Sequence, residues 1–160
     1  AEVEMTPTWT VLVAFAEALP QLPDGGGLED GALSWIARDS SKPGRAPGER
    51  WVLHASSAWT RDHLEEPRRL VGEALLEAFR GVAGVEELPA RTYLEVHRWR
   101  YSAVRRPVGQ DCLWDASLRV GVAADWCIAS RVEDAWRSGV ALGHTIVGDA
   151  RARRLAPAPG

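Results

Sequence analysis

The chain has 160 residues, 46% hydrophobic and 26% charged, which are the proportions of a folded domain and exclude a disordered polypeptide. Its 19 Lys and Arg against 22 Asp and Glu leave a net charge of -3, so no bulk cationic field draws it to nucleic acid or to an anionic membrane. No apolar run approaches the roughly 20 residues of a membrane span, and no charged-then-apolar secretory leader opens the chain.

Trp9 to Phe15 (WTVLVAF) alternates with a period of two and predicts a strand, with Trp9, Val11, Val13 and Phe15 on one face. Leu19 to Asp30 holds Pro20, Pro23 and Gly25-Gly26-Gly27 and reads as turns. A second strand is expected over Ala32 to Arg38, then a polar loop from Asp39 to Glu49, then a third strand from Arg50 to about Ser57 with Trp51, Leu53 and Ala55 on one side. The period then changes. Leu70, Val71, Ala74, Leu75, Ala78 and Phe79 recur at helical spacing, with Pro67 suited to the first turn and Gly81 and Gly84 to the end. Such a helix has one apolar face and should cover one face of the sheet. A fourth strand, Thr92 to Ser102, puts Tyr93, Glu95, His97, Trp99 and Tyr101 on one face and Leu94, Val96, Arg98 and Arg100 on the other.

The last part is predicted as two short strands, Asp111 to Trp114 and Leu118 to Ala124, a loop from Asp125 to Ser130, and an apolar helix opened by a Ser130/Glu133 capping box. Gly139 and Gly143 lie on one stripe of that helix, where interior glycine costs about 1 kcal/mol each and usually marks close packing. Residues 151–160 read as a flexible tail. The fold class expected is α+β: a mainly antiparallel sheet with a covering helix over residues 1–110, and a strand–helix piece over 111–150.

Two constellations could carry chemistry. At the final helix start, unpaired N–H groups and a partial positive charge can hold a phosphate, a carboxylate or an electron-rich carbonyl. Asp125 could accept hydrogen bonds there from a sugar or polyol, while an ordinary connection whose Asp and Ser merely cap a helix has the same spacing. The face of His97, Trp99 and Tyr101 could line a pocket for a flat ligand, or lie under a helix with His97 hydrogen-bonded. Lys42 and Arg45 could bind an anion, or belong to a solvated turn. Eight Trp outnumber two Tyr and two Phe, an excess that points to an aromatic-walled site. Cys112 and Cys127 read as two reduced thiols, four His show no metal-ligand spacing, and the chain holds no GxGxxG, GxxxxGK[ST] or GxSxG. No metal and no catalytic residue is assigned, and the expected location is cytoplasmic.

The strings Leu33–Arg45 (LSWIARDSSKPGR), Trp51–Thr60 (WVLHASSAWT), His97–Ser102 (HRWRYS) and Gly121–Gly139 (GVAADWCIASRVEDAWRSG) resemble, in order, the C-terminal half of bacterial renalase-like, amine-oxidase-like FAD-dependent oxidoreductases. The resemblance implies a substrate-domain sheet followed by a return to the FAD domain, whose last helix points its N-terminus at the flavin. It implies that Asp125 contacts the ribityl or phosphate portion, that Arg131, Val132 and Glu133, with Trp126 beside them, face the isoalloxazine, and that His97, Trp99 and Tyr101 wall the substrate cavity. Two positions depart from the family pattern: Ala124 stands where a glycine usually precedes the Asp, and Asp134 where glycine often follows Val-Glu.

The expected function is therefore a fragment of a flavoprotein that oxidises an amine-like or dihydronicotinamide-like small molecule. The missing partner is an N-terminal FAD domain with the pyrophosphate loop; the chain alone is expected to be inactive, to retain FAD weakly, and to self-associate through its C-terminal helix. The alternative is a stand-alone, non-enzymatic module that binds a flat ligand or partner protein on a Trp-rich surface.

Overall fold

The computed structural model describes residues 2–19 and 22–155. The fold is α+β. Five strands form an antiparallel sheet in the order β2-β3-β4-β1-β5: β1 (Glu4–Phe15), β2 (Gly25–Gly27), β3 (Leu33–Arg38), β4 (Glu49–Ala55) and β5 (Arg91–Arg106). Helices α1 (Ser57–Asp62) and α2 (Arg68–Ala83) follow β4, and a short hairpin of β6 (Leu113–Asp115) and β7 (Val120–Val122) precedes α3 (Asp125–Ile128) and α4 (Val132–Leu155). The chain divides into two compact units, Pro7–Ser102 and a second made of the first residues with the segment from Ala103 onward.

In the first unit, the period-two pattern works as read. Trp9, Val11, Val13 and Phe15 of β1 and Trp51, Leu53 and Ala55 of β4 are buried. Their register, Val11 opposite Leu53 and Val13 opposite Trp51, aligns the two apolar rows on one face. Helix α2 covers that face with Val71, Leu75, Leu76 and Phe79. Phe79 stacks on Phe15 at 6.2 Å between ring centroids and tilts against Trp51 at 5.2 Å. Gly72 brings the helix close to β5, where a Cβ on it would come within 2.8 Å of Val96 Cγ2. Gly84 ends α2 in the left-handed conformation at φ 64, whereas Gly81 stays within the helix. Trp9 closes the other end: its N–H donates to Thr60 Oγ1 (3.2 Å) and its Nε1 to the His63 carbonyl (3.0 Å).

Two boundaries differ from the sequence expectation. Gly25–Gly27, read as turn, adds an edge strand to β3, because a main-chain ladder needs no side chain. Glu49, assigned to the loop, begins β4 and is buried. It accepts from Trp51 Nε1 at 2.7 Å and pairs with Arg38 at 3.1 Å. Arg38 also donates to the carbonyls of Leu19 and Leu22 and lies over the Trp51 ring, so this charged group seals one end of the core.

In the second unit, Leu113 pairs with Val122 and Asp115 with Val120. Asp115 Oδ1 accepts from the N–H groups of Ser117 and Leu118 and from the Ser117 hydroxyl, which builds the hairpin turn. Those bonds hold the Asp115 carboxyl below its usual range, the Ser117 side chain contributing most. Arg119 completes the turn at φ 56, the one positive-φ residue other than glycine among those described. Gly121 is dictated by packing, since a Cβ there would lie 2.5 Å from Leu142 of α4. The segment from Asp125, read as a loop, makes a helical turn whose buried residue is Cys127. The expected capping box does not form: Ser130 Oγ instead accepts from the Val104 N–H at 3.1 Å, and α4 starts on the Arg131 carbonyl. α4 continues to Leu155, past the expected start of the tail at Arg151; residues 156–160 lie outside the described part.

Candidate functional site

The covering helices leave the opposite face of the sheet open. Trp35 and Tyr93 are exposed on it, and Trp99 is 50% exposed. Between them lie Leu12, Val52 and the pair Thr10–His54, which face each other across β1 and β4. Thr10 Oγ1 is 2.8 Å from His54 Nδ1, and burial pushes the His54 imidazole below its usual value, so it favours the neutral ring. Trp35 stands opposite His54 on β3, beyond a register shift between Leu33 and Trp35 that re-aims the strand. A cleft of about 330 Å³ opens on the sheet, lined by Leu12, Ala14, Val52 and Tyr93 with Asp39 and Arg50. Exposed aromatic and apolar groups in one patch are unusual on a surface that meets only water.

His97, Trp99 and Tyr101 lie on this open side of β5, while Val96 and Arg98 turn towards the helix-covered side, Arg98 over the Trp9 ring. The reading of this face as the underside of a helix is therefore set aside. His97 is half-buried and its ring sits 4.3 Å from that of Trp99, tilted by 58°. Tyr101 is exposed. Glu95, awkward for a core face, is exposed and lies 4.0 Å from Arg68.

Lys42 and Arg45 lie in an exposed turn beside Asp39. Both pair with Asp39, at 2.9 and 3.4 Å, and the Lys42 hydrogen bond is the main cause that holds the Asp39 carboxyl below its usual range. One carboxylate is thus shared by two cations of its own turn, each more than half exposed.

In the second unit, Asp125 opens α3, and its Oδ1 accepts from the Trp126 N–H at 2.8 Å. The Ala124 N–H donates to the buried Ser138 hydroxyl, which ties the entry of α3 to α4. Asp134 is buried and pairs with Arg137 at 3.5 Å, so it is built into the packing. Arg131, Val132 and Glu133 are exposed at the start of α4, Val132 at 86%. The Val132 and Glu133 N–H groups precede the first intrahelical acceptor, whereas Asp134 N–H already donates to the Arg131 carbonyl at 3.1 Å. Trp114, placed by the sequence at the end of a strand but given no role, lines a cleft of about 490 Å³ with Arg119 and Leu142. Its indole nitrogen is buried without a hydrogen-bond partner among the described residues.

The Trp35–His54–Thr10 cluster was missed by sequence reasoning. Its signal was weak: the strands offered only scattered polar and aromatic residues off the core face, and only the pairing of β3, β4 and β1 brings Trp35, His54 and Thr10 together. Among the described residues, no group of three or more His, Cys, Asp or Glu is placed to hold a metal ion, and no helix is long and apolar enough to cross a membrane. Cys112 and Cys127 are free thiols, the second buried. No family model matches the chain.

Proposed function

We propose that this chain supplies the substrate-binding sheet and the C-terminal helix of a cytoplasmic FAD-dependent oxidoreductase acting on a flat, amine-like or dihydronicotinamide-like molecule. The observation that carries the reading is the open sheet face, where Trp99, Trp35 and Tyr93 stand exposed beside the half-buried His97, opposite a helix-packed core. The string resemblance supplies the chemical class. Aromatic walls suit a planar substrate because they bury area with little loss of side-chain freedom.

The residues assigned to the cofactor fit a flavin in donor chemistry. The exposed start of α4 offers N–H groups and a partial positive charge, which suit the electron-rich edge of an isoalloxazine and any negative charge that develops there. Asp125, with one oxygen fixed by the Trp126 N–H, keeps the other to accept from a polyol hydroxyl. Trp126 and the exposed Val132 add apolar surface. When bound, FAD supplies the hydride acceptor; the chain's own part is to orient the substrate on the sheet face.

The test compares the longer protein that this reading implies with the 160-residue chain. The longer protein should purify with flavin absorbance, and the chain alone should bind FAD weakly. Asp125→Ala should weaken FAD affinity about tenfold or more, equivalent to roughly 1.4 kcal/mol. His97→Ala should keep the flavin and lower turnover. A longer protein without flavin, or equal flavin retention in the two variants, refutes the assignment. A chain that binds a flat ligand tightly by itself supports the stand-alone module instead.

A further inference from the structure

Helix α4 has two faces of opposite character. Asp134 and Ser138 are buried and Ala141, Leu142 and Thr145 half-buried, so one face packs within its own unit. At about 100° per residue, the reverse face carries Trp136, Gly139, Val140, Gly143, Val147 and Ala150. All six are exposed, Trp136 at 70%. A Cβ on Gly139 or Gly143 would meet no atom within 4 Å. Helices that meet only water place charge on this side. This one places apolar groups and bare backbone there.

The stripe is complementary to itself when turned end for end. Trp136 lies seven residues before Gly143 and Ala150 seven after, so an antiparallel pair centred on Gly143 sets the large indole against a methyl group. Gly139 and Val147 lie four residues to either side and meet in the same way. Charge follows the same symmetry. Glu133 and Arg151 are eighteen residues apart, five full turns, and so project from one flank. They stand about 15 Å before and about 12 Å after the centre, at 1.5 Å per residue. A two-fold axis at Gly143 therefore brings Glu133 beside the partner's Arg151, twice. Both residues are exposed, and neither has a salt bridge among the described residues. A parallel pair would set Glu133 on Glu133, Arg151 on Arg151 and Trp136 on Trp136.

We infer that a second copy of this chain occupies this face, with the two α4 helices antiparallel and Gly143 on the two-fold axis. A single helix pair is a small interface, so association is in the micromolar range or weaker. The inference needs no flavin, though Glu133 also belongs to the helix start that the proposed function sets at the cofactor.

Sedimentation velocity over a concentration series of the 160-residue chain, without flavin, tests it. A monomer–dimer equilibrium is expected. Gly143→Arg should weaken it at least tenfold with unchanged helical circular dichroism, since the new side chain enters open space in the monomer. Glu133→Arg should weaken it about fivefold, from two exposed ion pairs, and adding Arg151→Glu should restore it. In a Cys112→Ser background, Gly143→Cys should form an intermolecular disulfide under mild oxidation. Val132→Cys should not, because the two copies of position 132 lie about 33 Å apart in this arrangement. A monomer throughout overturns the inference and leaves the face to another chain or domain. So does a dimer indifferent to Gly143→Arg, a charge swap that fails to restore, or cross-linking at 132 rather than at 143.

Discussion

Gly72→Ala separates helix propensity from packing, two effects of opposite sign. In an exposed helix interior this substitution stabilises by about 1 kcal/mol, because glycine loses more backbone freedom on folding. Position 72 is buried, and the added methyl would stand 2.8 Å from Val96 Cγ2. That atom is one bond from a branched Cβ and stiff at χ1, so it yields only with the strand or the helix. Overpacking of this kind costs about 1–3 kcal/mol. The net expectation is a loss of about 1 kcal/mol, read as a lower urea midpoint with an unchanged slope, followed by tryptophan fluorescence. Val96→Ala removes the obstacle and leaves a small cavity. The double variant should then be less destabilised than the sum of the singles by about 1–2 kcal/mol, the signature of residues in direct contact. A Gly72→Ala variant more stable than the parent by the full propensity term, with no coupling to Val96, would refute the close approach of α2 to β5.

Three other outcomes follow from the geometry. Glu49→Ala should cost about 1–3 kcal/mol, because it leaves the buried Trp51 indole N–H without its acceptor and takes one carboxylate from Arg38, which keeps Asp24 and the Leu19 and Leu22 carbonyls; no measurable loss in urea melts contradicts this. The His54 imidazole is held below its usual value by burial, so the unfolded chain binds its proton first as pH falls. The contribution of His54 is intact above its unfolded value of about 6.5 and is lost as pH drops through the lower folded value. His54→Gln should flatten the fall in thermal midpoint between about pH 7 and 5, and an identical fall in both proteins rules it out. At φ 56, Arg119 sits where branched side chains clash. Arg119→Val should lose about 1–2 kcal/mol and Arg119→Gly should stay within about 0.5 kcal/mol of the parent; equal thermal midpoints for the two would show that the turn relaxes.

The sequence by itself determined the elements whose signal is local. Alternation in WTVLVAF and RWVLHA marked β1 and β4 and their buried rows, and the 3.6-residue recurrence from Leu70 to Phe79 marked α2, because one-sided burial writes its period directly into the residue order. The His97–Trp99–Tyr101 face was visible for the same reason. Which side of the sheet that face belongs to was undetermined, since a strand's two faces are distinguished only by what covers one of them; Phe79 against Phe15 and Trp51 decides it. The triple glycine could become a strand only beside β3, and Glu49 could enter the core only beside Arg38, partners eleven residues apart along the chain and 3.1 Å apart in space. Ser130 was read as a cap from its spacing to Glu133, yet its hydroxyl bonds Val104, twenty-six residues away. Local pattern fixes which groups seek burial or hydrogen bonds. Only the tertiary structure fixes which partner each one meets, because that choice depends on strand order and register.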